Sequence, residues 1–109
     1  IGIVGSEMCI RDCFNLIKLL AHTDVEKLEE AQISYGDSWR SRGGVGAFMM
    51  LARKFDRIEN QCKKNGYDIF KTIADDPSST GILDDIQDLR RYLLLVEGHM
   101  TNRKEYISK

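Results

Sequence analysis

Apolar residues recur at helical spacing along two long stretches of the chain. Phe48, Leu51, Phe55, Ile58 and Cys62 follow one another three or four positions apart and form one stripe. They predict a helix from about Ala47 to Lys64. Ile82, Ile86, Leu89, Leu93, Val96 and Met100 alternate spacings of four and three. They predict a second long helix from Ile82 to Met100 or beyond. Its middle, Tyr92 to Val96, is apolar on nearly every side, so burial is expected to be deepest there. Upstream, Phe14 to Leu20 is a short apolar run. Thr23-Asp24-Val25-Glu26 matches a capping box, in which Thr caps a helix and Glu reaches back three residues. That helix is expected to run to Tyr35 and stop at Gly36.

The intervals are equally readable. Ser38 to Gly46 reads as a connector or broken helix that ends in Gly43-Gly44-Val45-Gly46. Gly66 is expected to end the Ala47 helix. Tyr67 to Ala74 reads as a short helix anchored by Tyr67, Ile69, Phe70 and Ile73. Asp75 to Gly81, with Pro77 and two serines, is a loop by composition. No stretch alternates with a period of two. The expected fold is all-α, a small bundle of three to four main helices.

Composition narrows the class without naming a function. A chain of 109 residues is one domain, able to bury roughly two-thirds of its unfolded surface. Hydrophobic content of 42% and charged content of 30% suit a globular protein. A net charge of -1 gives no broad attraction for nucleic acid or membrane. No apolar run approaches the ~20 residues that span a bilayer. Three cysteines, Cys9, Cys13 and Cys62, make no disulfide framework and point to reduced thiols in a cytosol. Residues 1–12, IGIVGSEMCIRD, begin without methionine and resemble the translated remnant of a sequencing adapter. They are expected to be non-native, with a single all-α domain over 13–109.

Candidate chemistry lies in two acidic pairs, Asp56-x-x-Glu59 and Asp85-x-x-Asp88. Residues three apart are neighbours on a helix surface, so each pair points two carboxylates one way. Two such helices side by side gather four, and a divalent cation relieves their repulsion. Measured from the centre of each apolar stripe, Glu59 and Asp85 lie about 60° away, and Asp56 and Asp88 about 120°. One acid of each pair therefore sits at the core boundary, where it needs a partner. The alternative partners are cations, with Lys54, Arg57, Arg90 and Arg91 nearby. Glycines 43, 44 and 46 lead into a helix N-terminus with Arg40, Arg42 and Arg53 around them, an anion-binding composition that lacks the Lys-Ser/Thr of a P-loop. His22 and His99 have no partner at metal-ligand spacing and read as surface or capping residues.

Three segments carry a family resemblance. Tyr35-Gly36-Asp37-Ser38-Trp39, Arg42 to Phe48 (RGGVGAF) and Arg53 to Asn60 (RKFDRIEN) resemble a phage-encoded group of small helical proteins. That group is similar to the MazG-like all-α nucleoside triphosphate pyrophosphohydrolases and their nucleotide-modification-associated relatives. Asp85 to Leu95 (DIQDLRRYLLL) resembles the superfamily's final helix, in which an E-x-x-D motif precedes an apolar run. Where the superfamily has E-x-x-E then E-x-x-D, this chain has Asp at 56 and 85 and matches at Glu59 and Asp88. The resemblance implies Mg²⁺ or Mn²⁺ held by Asp56, Glu59, Asp85 and Asp88, with Glu59 and Asp88 catalytic. It implies hydrolysis of (deoxy)nucleoside triphosphates to monophosphate and pyrophosphate. Lys54, Arg57, Arg53 and Arg42 would bind the phosphates, and Trp39 and Tyr35 would stack on the base. It further implies a homo-oligomer in the cytoplasm of a bacterium or phage-infected host. A non-catalytic nucleotide-binding or helical interaction protein is the alternative.

Overall fold

A computed structural model describes residues 9–76, 78 and 81–102. Four α-helices and one 3-10 turn account for almost all of them, and no strand occurs among the described residues. The helices are α1 (Ile10–Tyr35), α2 (Gly43–Lys63), α3 (Ile69–Asp75) and α4 (Ile82–Thr101), with the 3-10 turn at Ser38–Arg40. The all-α expectation holds. The chain divides into two compact units, Ile1–Gly36 and Asp37–Lys109.

The first unit contains α1, a single helix of 26 residues. The expected capping box is not used. Thr23 lies in mid-helix, where its hydroxyl donates to the Leu19 carbonyl at 3.0 Å. Glu26 faces His22 at 3.6 Å instead of reaching back to the Thr23 backbone. The physical reason lies upstream: residues 14–22 contain neither glycine nor proline, so the helix arrives at Thr23 already formed. The N–H groups a cap would satisfy already have intrahelical acceptors. Termination at Gly36 is as expected. Gly36 adopts φ 60° and its N–H bonds to the Gln32 carbonyl at 2.9 Å.

In the second unit, α2 starts earlier than the glycine cluster suggested, and Gly43, Gly44 and Gly46 form its first turn. A Cβ at Gly46 would stand 2.7 Å from Arg42 Cβ, so the turn closes only with glycine there. The C-terminus of α2 follows a Schellman pattern. Tyr67 N–H bonds to the Cys62 carbonyl at 2.9 Å and Gly66 N–H to Lys63 at 3.1 Å, with Gly66 at φ 65°. Asp68 then caps α3 by accepting from the Lys71 N–H at 3.1 Å. Of the anchors expected on α3, only Ile73 packs against the core; Tyr67 and Phe70 are exposed. Thr72 is the buried residue, held between Asn65 and the Asp68 carbonyl. The loop expected from Asp75 begins one residue later, and part of it, Pro77 included, lies outside the described residues.

The core is small: Ile58, Cys62 and Ile82, with Ile73, Ile86 and Leu89 against them. It sits where the end of α2, the start of α4 and α3 meet. The centre of α4 is not its most buried part, because Leu93 and Leu94 are exposed while Ile82 is fully buried. The start of α4 is flanked by two helices, whereas its later turns meet the start of α2 and the 3-10 turn. No helix among the described residues is long and apolar enough to cross a membrane.

Candidate functional site

The phase of α2 decides which side chains reach α4. Phe48 and Phe55, expected on its apolar stripe, are exposed. The residues turned inward are Ala47, Leu51, Lys54, Ile58, Gln61 and Cys62. Recentred on that line, Glu59 lies about 110° and Asp56 about 170° from the buried face. Both are exposed, and both leave the position that the four-carboxylate arrangement requires. The rotation brings Lys54, Arg57 and Gln61 toward α4 instead.

What these three meet is Asp85, 1% exposed in the first turn of α4. Arg57 Nε donates to Asp85 Oδ1 at 2.8 Å and Gln61 Nε2 to Oδ2 at 2.8 Å. Lys54 Nζ stands 3.8 Å from Asp85 and 2.8 Å from Asp88 Oδ2. Both Asp85 oxygens are thus engaged, and burial of the charge is offset by direct partners. Asp88 is half-buried and shares Lys54. Of the four cations weighed for this role, Lys54 and Arg57 fill it.

The acids that do converge are Asp84, Asp85 and Asp88, each with one oxygen within 4.8 Å of the others. This is the sole such group among the described residues, and neither Asp56 nor Glu59 belongs to it. Asp84 was not singled out by the i to i+3 spacing. The signal for it was available, since Asp84 and Asp88 are four apart on the same helix face. The side chain of Asp84 has no hydrogen bond or ion pair among the described residues. The donor set fits a divalent cation in part. Asp84 and one oxygen of Asp88 are available, while Asp85 is committed to Arg57 and Gln61.

The remaining expected residues lie elsewhere. Arg53 and Asp56 line a shallow depression along α2 together with Arg57 and Asn60. Arg42 occupies the N-cap position of α2 without a side-chain capping bond, and Tyr35 is an exposed residue of the first unit. Trp39 forms part of a cluster that no sequence spacing announced. Arg40 Nη1 contacts His99 Nδ1 at 2.6 Å, Arg40 Nη2 donates to Asp37 Oδ2 at 2.7 Å, and the Trp39 and His99 rings meet edge to face at 6.0 Å. His99 is therefore neither a lone surface residue nor a cap. Cys9 and Cys13 are exposed and Cys62 is buried; none belongs to a group able to hold a metal among the described residues. Compared with known protein families, curated proteins and solved structures, the chain finds no match in any of the three.

Proposed function

We propose that the protein binds (deoxy)nucleoside triphosphates and, with Mg²⁺ or Mn²⁺, hydrolyses them to monophosphate and pyrophosphate. The observation that supports this reading most is the placement of Lys54 and Arg57 against three converging carboxylates on α4. Cations for phosphate and oxygens for a divalent ion then occupy one locus. The resemblance of the RKFDRIEN and DIQDL segments points the same way. A bound metal would supply an activated water and offset charge on the phosphates. The chain's part is to hold and exchange partners. Arg57 and Gln61 fix Asp85, and Lys54 is shared between Asp85 and Asp88. A substrate phosphate would compete with Asp88 for Lys54 and so free an oxygen of Asp88, which with Asp84 would be available to hold a divalent cation. Asp56 and Glu59, exposed on α2, have no place in this scheme within one chain.

The deciding experiment is incubation of the purified protein with each ribo- and deoxyribonucleoside triphosphate and Mg²⁺ or Mn²⁺, reading pyrophosphate release. Turnover that is lost in Asp88→Asn with the helical circular dichroism unchanged supports hydrolysis. A folded protein that turns over no nucleotide sinks it. The second reading, a nucleotide-binding protein without catalysis, is favoured by the full engagement of Asp85. It predicts nucleotide-dependent thermal stabilisation and no product. A homo-oligomer is part of the same proposal, supported by exposed apolar residues of the second unit such as Phe55, Phe70 and Leu93. Sedimentation velocity giving a monomer at all concentrations would remove it.

A further inference from the structure

The 3-10 turn holds its own shape. Arg40 N–H bonds to the Asp37 carbonyl at 3.0 Å and Ser41 N–H to the Ser38 carbonyl at 3.2 Å. The Arg40 guanidinium donates to Asp37 Oδ2 at 2.7 Å and lies over the Trp39 ring at 5.8 Å. Two further contacts reach across to α4, and both end on His99. Its Nδ1 meets Arg40 Nη1 at 2.6 Å, and its ring meets the Trp39 ring edge to face at 6.0 Å. These three residues form one wall of a cleft of about 820 Å³ between the start of α2 and the end of α4.

The hydrogen bond exists in only one protonation state of His99. Arginine is a donor only and stays charged wherever an imidazole titrates. His99 Nδ1 is therefore the acceptor, which puts the ring's proton on Nε2. A second proton takes the Nδ1 lone pair and sets two cations 2.6 Å apart. The surroundings decide how that charge is taken up. Among the described residues, the charged groups facing His99 are Arg40 and Asp37, both on the turn. The start of α2 and the rest of α4 line the cleft with uncharged residues, and Arg42 at the α2 N-cap is not among its walls. Protonated His99 and Arg40 then have one carboxylate between them, and Asp37 is already held by Arg40. Arg40 keeps Asp37 and Trp39, so the contact that gives way is the one to α4.

We propose that Arg40 and His99 form a pH-sensitive clasp, closed while the imidazole is neutral and opened by its protonation, that ties the 3-10 turn to the end of α4. The clasp needs neither metal nor nucleotide, so it stands or falls apart from hydrolysis. Imidazoles change charge between about pH 5 and 8, which sets the range to test. The experiment is a double-mutant cycle on the full chain: the parent, Arg40→Ala, His99→Ala and the double variant, unfolded by denaturant at about pH 8 and at about pH 5. Arg40 is exposed and His99 half-buried, so each variant should fold, which circular dichroism checks at both pH values. At the higher pH the pair should show a favourable coupling of about fivefold in the unfolding equilibrium constant, the ordinary contribution of one hydrogen bond. At the lower pH the coupling should vanish or change sign. Trp39 is the chain's single tryptophan, so its indole N–H gives one resonance that reports the opening. That resonance should move together with the titration of the His99 ring, and should move less than half as far in Arg40→Ala, where the clasp is already open. The proposal is overturned by equal coupling at the two pH values, by no coupling at about pH 8, or by an indole shift as large in Arg40→Ala as in the parent. An indole resonance that does not move in the parent overturns it whatever the variants do.

Discussion

Replacing Asp85 by Asn separates a structural carboxylate from one held in readiness for a metal. Asp85 accepts two hydrogen bonds at 2.8 Å while 1% exposed. Asn keeps one acceptor oxygen and turns an NH₂ toward either Arg57 or Gln61. If Arg57 keeps the oxygen, the Gln61 bond is lost and the Arg57 bond loses its charge assistance. Hydrogen bonds to charged groups contribute about 1.5–3 kcal/mol each, and neutral ones about 1. Arg57 is half-exposed, so water recovers part of its loss. The net cost is about 2 kcal/mol, or roughly a 10 °C fall in Tm for a domain of this size. The assay is thermal unfolding by circular dichroism in EDTA, with Asp84→Asn as control. Asp84 has no partner among the described residues, so its Tm should move little. A Tm for Asp85→Asn equal to or above that of the parent would refute the reasoning. It would mean that repulsion among the three acids outweighs their pairing with Lys54 and Arg57.

Three further predictions test the fold around this locus. Ile82→Ala removes the one fully buried large aliphatic residue of the core among the described residues and should cost about 3 kcal/mol in denaturant unfolding. Asp68→Ala removes the cap on α3 and should cost about 1 kcal/mol, recovered in Asp68→Ser. Gly44→Ala and Gly46→Ala should differ in sign when their Tm values are compared. Alanine at 44 meets open space and gains up to about 0.5–1 kcal/mol of helix propensity, whereas alanine at 46 meets Arg42 Cβ at 2.7 Å and destabilises.

Local rules carried the sequence reading far. Gly36 and Gly66 stop their helices because both backbones adopt positive φ there, which glycine alone accepts without penalty. The periodicity of Ile82 to Met100 located α4 to within a residue. The failures share one cause: position along a helix is local, but which face is covered depends on partners. Phe48 and Phe55 share the 3-4 spacing of the apolar stripe of α2 with Leu51, Ile58 and Cys62, and spacing alone places both on the buried face. The fold instead buries Ala47 and Ile58 and half-buries Lys54 and Gln61, because Asp85 supplies the polar partners that make such burial tolerable. A stripe calculation contains no term for a carboxylate on another helix. The same holds for Arg40 and His99, which meet across 59 positions and have no local signature.

On the proposed function, that rotation changes what would control metal binding. With Glu59 turned outward, the nearest charge to Asp88 is the ammonium of Lys54, at 2.8 Å. On the proposed function, Mg²⁺ and Lys54 would compete for one oxygen, and a phosphate would compete with Asp88 for Lys54. Linkage would make the two effects reciprocal: nucleotide would strengthen Mg²⁺ binding by the factor with which Mg²⁺ strengthens nucleotide binding. Lys54→Gln removes the competitor. The side chains are 20% and 31% exposed, and a pair at that exposure contributes up to about 1 kcal/mol. The variant should therefore bind Mg²⁺ alone up to about fivefold more tightly, the factor that 1 kcal/mol gives. Its nucleotide affinity in EDTA should fall, and the coupling between the two ligands should shrink. Calorimetric titration of each ligand, alone and in the presence of the other, measures all three quantities. Unchanged Mg²⁺ affinity in Lys54→Gln would show that Lys54 does not guard Asp88 and would leave the carboxylates of α4 as an ion-paired anchor for α2.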